Sequence, residues 1–393
     1  MRLVKGLALS FSLVKGSLLL SIAVCSANVW SQESENRGLS IDAELSLLRD
    51  SNVQRNATQI ADNLVRFAPQ MSFSSSIGKH YFNSAYSGVY TKHASLSDFD
   101  YNNHMADFSI LFDHSAKLST KFGANYEDAI EAPGSTNGVL TDTSEFNQFT
   151  TRQVSAEVMY GTQNSKGQIS LAVSRGSINY TSNEQAFRNS DTTSITGGYF
   201  YRIAPATRLI IEVESLNFDY VDVDSIDDQS SQQNTFSTGI EWASSAQTTS
   251  VFRLGYQSVD YESPVFVSSN NLYYSLDFIW QPKIYTQLTL GARREATQSA
   301  IQGTAGIIRK TYSIDLQHQL SNLIVLDSVI EYSEDDILIR TDTNTNFQLG
   351  LTYSAKHWLD ISLSYILEER ESDDSLFDYD SELIQISFIS TFY

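Results

Sequence analysis

The sequence predicts an all-β fold: a single transmembrane up-and-down antiparallel β-barrel of about 18 strands, with short periplasmic turns and longer extracellular loops. Three observations carry that expectation. Apolar and polar residues alternate with a period of two along most of the chain. The connections between alternating segments are by turns short and long. The last segment, SELIQISFISTFY (381–393), is itself two-faced and ends on aromatic residues. In it Ile384, Ile386, Phe388 and Phe392 oppose Gln385, Ser387, Thr391 and Tyr393. Phe388, Phe392 and Tyr393 are the expected signal for the barrel-assembly machinery.

The elements follow in order. Residues 1–31 divide as a secretory signal peptide does, with Arg2 and Lys5 before the apolar run SLLLSIAV (17–24). Cleavage is expected after Ser31, with Ala27 as the alternative. Val24 is too bulky for the position before a lipidated Cys25. Residues 32–393 then form one barrel domain, and 32–38 are too few for a plug. The expected strands are 39–49, 63–76, 80–92, 101–114, 117–128, 150–161, 167–178, 191–203 and 207–220 in the first half. The second half has 233–244, 249–260, 271–281, 284–296, 307–319, 322–333, 344–354, 357–368 and 381–393. In the segment 271–280, for example, Leu272, Tyr274, Leu276, Phe278 and Trp280 oppose Tyr273, Asp277 and Ile279. These runs exceed the ~5–6 residues of a soluble strand and match a tilted membrane crossing of ~9–11.

Short links fall at 77–79, 115–116, 204–206, 245–248, 282–283 and 356, with longer segments such as 50–62, 129–149 and 334–343 between them. At Ser215 the apolar phase slips, which predicts either a bulge or a strand leaving the membrane. Trp242, Trp280 and Trp358 all stand beside short links, as a periplasmic aromatic girdle would.

If the apolar faces meet lipid, then Glu157, Glu241, Arg253, Asp277, Arg293, Asp315, Asp327, Glu331 and Asp360 line the pore. The net charge of −20 is a poor basis for binding nucleic acid. An acidic lumen would favour cations or neutral sugars, although polar residues that pair across strands would look the same. The acidic stretches VDVDSIDD (221–228), SEDD (333–336) and EERESDD (368–374) read as outer loops. They could meet lipopolysaccharide through divalent ions, or be plain solvated charge; the first lacks the glycine and terminal glutamate of a calcium loop. The six histidines (80, 93, 104, 114, 318, 357) are scattered. Catalytic residues, metal ligands and cofactors are not expected.

The stretch from Asn63 to Ala129 has further recurring features: Pro69, Tyr86 and Tyr90, then Asp98 and Asp100 in an aspartate-rich loop. Asn103–His104 and Phe112–Asp113–His114 follow, and Asp50–Ser51–Asn52–Val53 precedes them. With these residues the chain resembles an outer-membrane β-barrel porin family whose members accompany exopolysaccharide and capsule operons. The resemblance spans the chain after the leader and its motifs are diffuse. It implies a bacterial outer-membrane conduit, without enzymatic activity, that exports an exopolysaccharide or capsular polysaccharide, with a periplasmic polysaccharide export protein as partner. The alternatives are a general diffusion porin for small solutes, or a structural or adhesive surface barrel.

Overall fold

The computed structural model describes residues 38–393 apart from 137–144, 163, 222–227, 246, 300, 302, 303, 305, 338 and 393. Eighteen strands follow one another: β1 Gly38–Asp50, β2 Asp62–Ile77, β3 His80–His93, β4 Tyr101–Ser115, β5 Leu118–Ile130 and β6 Gln148–Tyr160. Next come β7 Gly167–Tyr180, β8 Ser190–Ala204, β9 Thr207–Tyr220, β10 Ser231–Ser245, β11 Thr248–Tyr261 and β12 Ser269–Lys283. The last six are β13 Thr286–Thr297, β14 Ile307–Ser321, β15 Ile324–Ile337, β16 Arg340–Lys356, β17 Leu359–Ser372 and β18 Tyr379–Phe392. Each pairs antiparallel with its chain neighbours, and β1 pairs with β18 from Ile41↔Phe392 to Asp50↔Leu383. The closed ring leaves no unpaired edge, which a strand structure in lipid requires because hydrocarbon offers no hydrogen bonds.

The alternation decides which face is which. Leu349, Leu351 and Tyr353 are exposed, while Gln348, Gly350 and Thr352, which alternate with them, are buried. A soluble protein would invert that arrangement; a barrel whose outside is hydrocarbon requires it. The outward face also carries Val154, Leu171, Leu254, Leu363 and Phe388.

The short turns have a shared chemistry. Ser115, Ser245 and Ser321 each end a strand, and each Oγ accepts a backbone N–H of the turn, from Leu118 at 3.1 Å, Gln247 at 3.1 Å and Leu323 at 3.2 Å. Serine thus replaces the ladder bond that the reversal removes. Gly78 turns β2 into β3 with φ 62°, where a side chain would be strained. On the rule that barrels keep short turns in the periplasm, this rim is periplasmic and the longer loops are extracellular.

Two expectations change, and at Ser215 one of two alternatives falls away. SEDD (333–336) is strand rather than loop: β15 runs to Ile337 and β16 starts at Arg340, so Asp335 pairs with Asp342. Most of EERESDD likewise belongs to β17, which reaches Ser372. A run of like charges suggests a solvated loop, but here alternate acids are neutralised by lumen arginines. At Ser215 there is no bulge, because β9 keeps continuous register with both β8 and β10. Leu216 is buried there on the inward face, so the apolar phase slips as the strand leaves the membrane. Most of VDVDSIDD, Tyr393 and the expected leader with Cys25 lie outside the described residues.

Candidate functional site: the barrel lumen and a strap across it

The inward faces of the strands build the lumen. Glu157 on β6 stands directly opposite Lys121 on β5. Glu241 on β10 accepts from Arg208 Nε at 3.1 Å, and Arg208 also donates to Gln168 Oε1 at 3.1 Å. Arg253 on β11 lies 3.8 Å from the Glu212 carboxylate, and Arg293 on β13 lies 3.6 Å from Glu295. Asp327 accepts from Gln317 Nε2 at 3.1 Å. Asp277 faces Gly291, Asp315 faces Thr289 and Val329, Glu331 faces Ser313, and Asp360 stands opposite Ile389 near the periplasmic rim. The nine residues are thus spread around the ring and along its axis; they do not form one cluster. Trp242, Trp280 and Trp358 sit on the outer surface beside short turns and are exposed. Phe388 and Phe392 lie on the outward face of β18. Tyr273 is inward, and Tyr285 lies in the β12–β13 turn with its ring edge-on to His318 at 5.8 Å.

The wall made by β2–β6 differs from the rest. It borders an open recess of about 450 Å³ lined by Ser72, Ser74, Asn83, Asp107, Asn125 and Gln153, among others. Asn125 Nδ2 donates to Asp107 at 2.8 Å and Ser74 Oγ donates to Asn83 Oδ1 at 2.6 Å. Hydroxyls and amides here can both donate and accept, as the hydroxyl groups of a polar solute require.

Across from this wall the extracellular ends of β14–β17 carry arginine–carboxylate pairs that were not foreseen. Arg309 grips Asp335 with Nε at 2.5 Å and Nη2 at 2.7 Å, and Arg340 Nε donates to Asp342 at 2.9 Å. The signal was in the sequence, because Arg340 and Asp342, two apart on one strand, must share a face. It was hidden by reading 334–343 as loop.

The loop after β5 joins the two walls. Its first residues, Glu131–Thr136, leave β5 and reach β15 and β17 on the far side of the ring. Thr136 Oγ1 donates to Asp335 at 2.6 Å, and Arg370 donates to the Gly134 carbonyl and, at 3.3 Å, to Thr136. Gly134 has φ 73°, and a Cβ there would come within 2.8 Å of both the Tyr379 ring and Arg55, so only glycine fits this crossing. The near end is held by Glu131, which accepts from Arg188 Nη2 at 2.5 Å and Nη1 at 2.9 Å. Arg188 in turn lies over the Tyr180 ring at 4.1 Å. The segment is therefore a strap tied at both ends across the lumen.

Burial by itself would raise the Glu131 carboxyl, but the hydrogen bonds and charge of Arg188 outweigh it and hold the group below the usual carboxylate range. A depressed folded value stabilises the closed strap above the ordinary glutamate value of about 4.3 and ceases to do so as pH falls through the depressed value. Resistance of the 131–147 loop to protease should therefore be flat from neutral pH to about 4.5 and fall only in stronger acid. A fall already between neutral pH and that point would show that this pair is not what ties the loop.

The residues that carry the family resemblance hold the scaffold rather than line the pore. Asp100 accepts from the His93 N–H at 2.7 Å and from Lys92 at 2.9 Å, and Asn103 accepts from the Ile130 N–H at 3.1 Å. Tyr86 shares a hydrogen bond of 2.9 Å with His104 on the outer surface. Asn52 donates to the Asp380 carbonyl at 2.9 Å, tying the first loop to the β1–β18 closure. Lower on that closure Glu44 accepts from Ser46, Gln385 and Ser387 at 2.7–3.0 Å. Among the described residues no group of His, Cys, Asp or Glu could hold a metal ion.

Among solved structures, a BenF-like porin from Pseudomonas fluorescens Pf-5 is 11% identical, with a TM-score of 0.50 over 90% of this chain and 99% of that one. OccK2 (OpdF) of Pseudomonas aeruginosa is 11% identical, with a TM-score of 0.48 over 91% of this chain and 98% of that one. At such identity the BenF-like likeness speaks for the fold alone. No curated protein matches the sequence. The family profile described as "Putative beta-barrel porin 2" matches residues 40–390. This chain is an outer-membrane β-barrel porin of that family.

Proposed function

We propose that this barrel is a diffusion porin that passes small polar solutes, neutral or cationic, rather than the polysaccharide conduit that the family resemblance implies. The observation that carries this reading is the strap: a tied segment crosses the extracellular end of the lumen, and further toward the periplasm β2–β6 border an open, hydroxyl- and amide-rich recess of about 450 Å³. A sugar-sized solute matches that space, whereas a growing polymer would need the strap to stay aside throughout export. Glu157, Glu241, Arg253, Asp277, Arg293, Asp315, Asp327, Glu331 and Asp360 line the passage in this reading. The arginines among them are matched to carboxylates, so the excess of inward acids sets a field that attracts cations. The protein carries out no chemistry on what it passes. Trp242, Trp280 and Trp358 anchor the periplasmic interface, and Phe388 and Phe392 present the last strand to the assembly machinery.

In a planar bilayer with a potassium chloride gradient, the reversal potential should show cation preference. Replacing Asp277, Asp327 and Glu331 by their amides should move it toward zero, more strongly at low salt because screening reaches ~8–10 Å at physiological ionic strength. Anion preference in the unaltered protein would end the charge argument. In cells, deleting the gene should slow uptake of small sugars and leave surface polysaccharide normal. Loss of surface polysaccharide with normal uptake would restore the export reading.

A further inference from the structure

The outer surface carries a pattern that solute passage does not use. Apart from lysines in or beside the periplasmic turns, the described Lys and Arg residues on outward strand faces all lie near the extracellular ends: Arg49, Lys92, Arg152, Arg175, Arg294 and Lys310. In a chain with net charge −20 this segregation is not what composition alone would produce. Two places concentrate it. Arg294 on β13 stands directly opposite Lys310 on β14, a like-charge cross-strand pair. Arg152 on β6 and Arg175 on β7 are diagonal neighbours, since Arg152 pairs with Ser177 and Arg175 with Val154.

Directly opposed like charges destabilise a sheet unless something neutralises them. In each pair one cation has an ion-pair partner: Glu334 accepts from Lys310 at 2.6 Å, and Asp191 lies 3.4 Å from Arg175. Beside and below the first pair the outward face turns aromatic: Tyr274 stands opposite Arg294 and shares a hydrogen bond of 2.9 Å with Tyr312, and Tyr332 lies 6.3 Å from Tyr312. Tyrosines mark the level where hydrocarbon gives way to headgroups. The cations beside and above them stand at the depth of the outer leaflet's charged groups.

We propose that the Arg294–Lys310 and Arg152–Arg175 pairs are binding sites for the phosphate groups of the outer leaflet's phosphorylated glycolipid. A phosphate bridging two cations accepts charge-assisted hydrogen bonds from both and removes their repulsion. Guanidinium matches phosphate oxygens in a fork, and the lysine adds a point charge. The lipid acyl chains then lie along the exposed apolar side chains beneath, such as Ile314, Val154 and Val173. This places recognition of the lipid on strand positions, independent of divalent ions held by acidic loops.

The test titrates the full-length protein, purified in non-ionic detergent and freed of lipid, with lipid A and with enzymatically dephosphorylated lipid A, in the presence of a chelator. Arg294→Gln/Lys310→Gln and Arg152→Gln/Arg175→Gln are compared with Lys79→Gln/Lys117→Gln, which removes the same charge at the periplasmic turns. Heat-modifiable migration checks that each is folded, and Lys310→Arg, which keeps the charge, covers the case of a glutamine variant that fails to fold. The expected result is phosphate-dependent binding, roughly thirtyfold weaker when one pair is neutralised, unchanged in the periplasmic variant and kept in Lys310→Arg. Equal binding of dephosphorylated lipid A, equal loss in the periplasmic variant, or no loss from either pair would overturn the assignment.

Discussion

Leu349→Arg should leave most of the protein unfolded, while Gly350→Ser, one residue away, should assemble normally. Leu349 is exposed on the outward face of β16, whereas Gly350 faces the lumen opposite Asp327 and Ser364. A charged arginine at the bilayer midplane costs ~2–4 kcal/mol, a large part of the stability of an ordinary domain. Snorkelling is of little help from the middle of a strand, because the side chain is shorter than the distance to either headgroup region. At Gly350 an added Cβ finds Ser364 Oγ at 3.6 Å and Asp327 Cβ at 3.9 Å, ordinary contact with polar neighbours. Folding into lipid vesicles, followed by the shift between heated and unheated samples on gels, measures both. Equal yields for the two variants would mean that the faces are assigned wrongly.

Arg188→Ala should release the strap without unfolding the barrel. The guanidinium is buried, with partners in Glu131, Gln185 and the face of Tyr180. Removing it leaves the buried Glu131 carboxylate without its cation, and breaking such a pair costs ~3–5 kcal/mol. That cost falls on the loop rather than the ring, because the strand ladders of β5 and β6 stay intact. Protease cleavage within 131–147 should rise and single-channel conductance should increase, while heat-modifiable migration stays normal. Arg188→Met combined with Glu131→Leu should recover much of the protection, since an apolar pair of similar volume removes the uncompensated charge. Unaltered conductance in Arg188→Ala with a cleaved loop would show that the strap does not narrow the passage.

The ring itself was legible because membrane strands repeat a simple rule. In 344–354 the alternation Phe347, Leu349, Leu351, Tyr353 both identifies a strand and assigns its faces, and the structure extends that strand at its ends, to Arg340–Lys356. The serines that close three of the short turns, Ser115, Ser245 and Ser321, took their meaning only from the structure. The extracellular third was less legible. There apolar residues such as Leu216 are buried on the inward face, and charged residues such as Glu334 and Asp336 point outward beyond the hydrocarbon, so the rule reverses within one strand. The lumen acids were placed by parity alone, which says nothing of partners. That Arg253 would lie by Glu212 and Arg208 by Glu241 follows from register between strands, and register is set across the ring.

From sequence alone came the class, the strand number, the facing of the middle of each strand, and the even count that returns both ends of the ring to one rim. These depend on local chemistry: the two-residue pleat and the thickness of hydrocarbon. Only the tertiary structure decided the strap. Glu131 and Arg188 are separated by 57 residues, and Thr136 and Asp335 by 199. No periodicity relates such distant positions; closing the ring brings their walls together, and burial then makes each unpaired charge too costly to leave. The pore's width is therefore a property of closure and pairing, while its existence is a property of alternation.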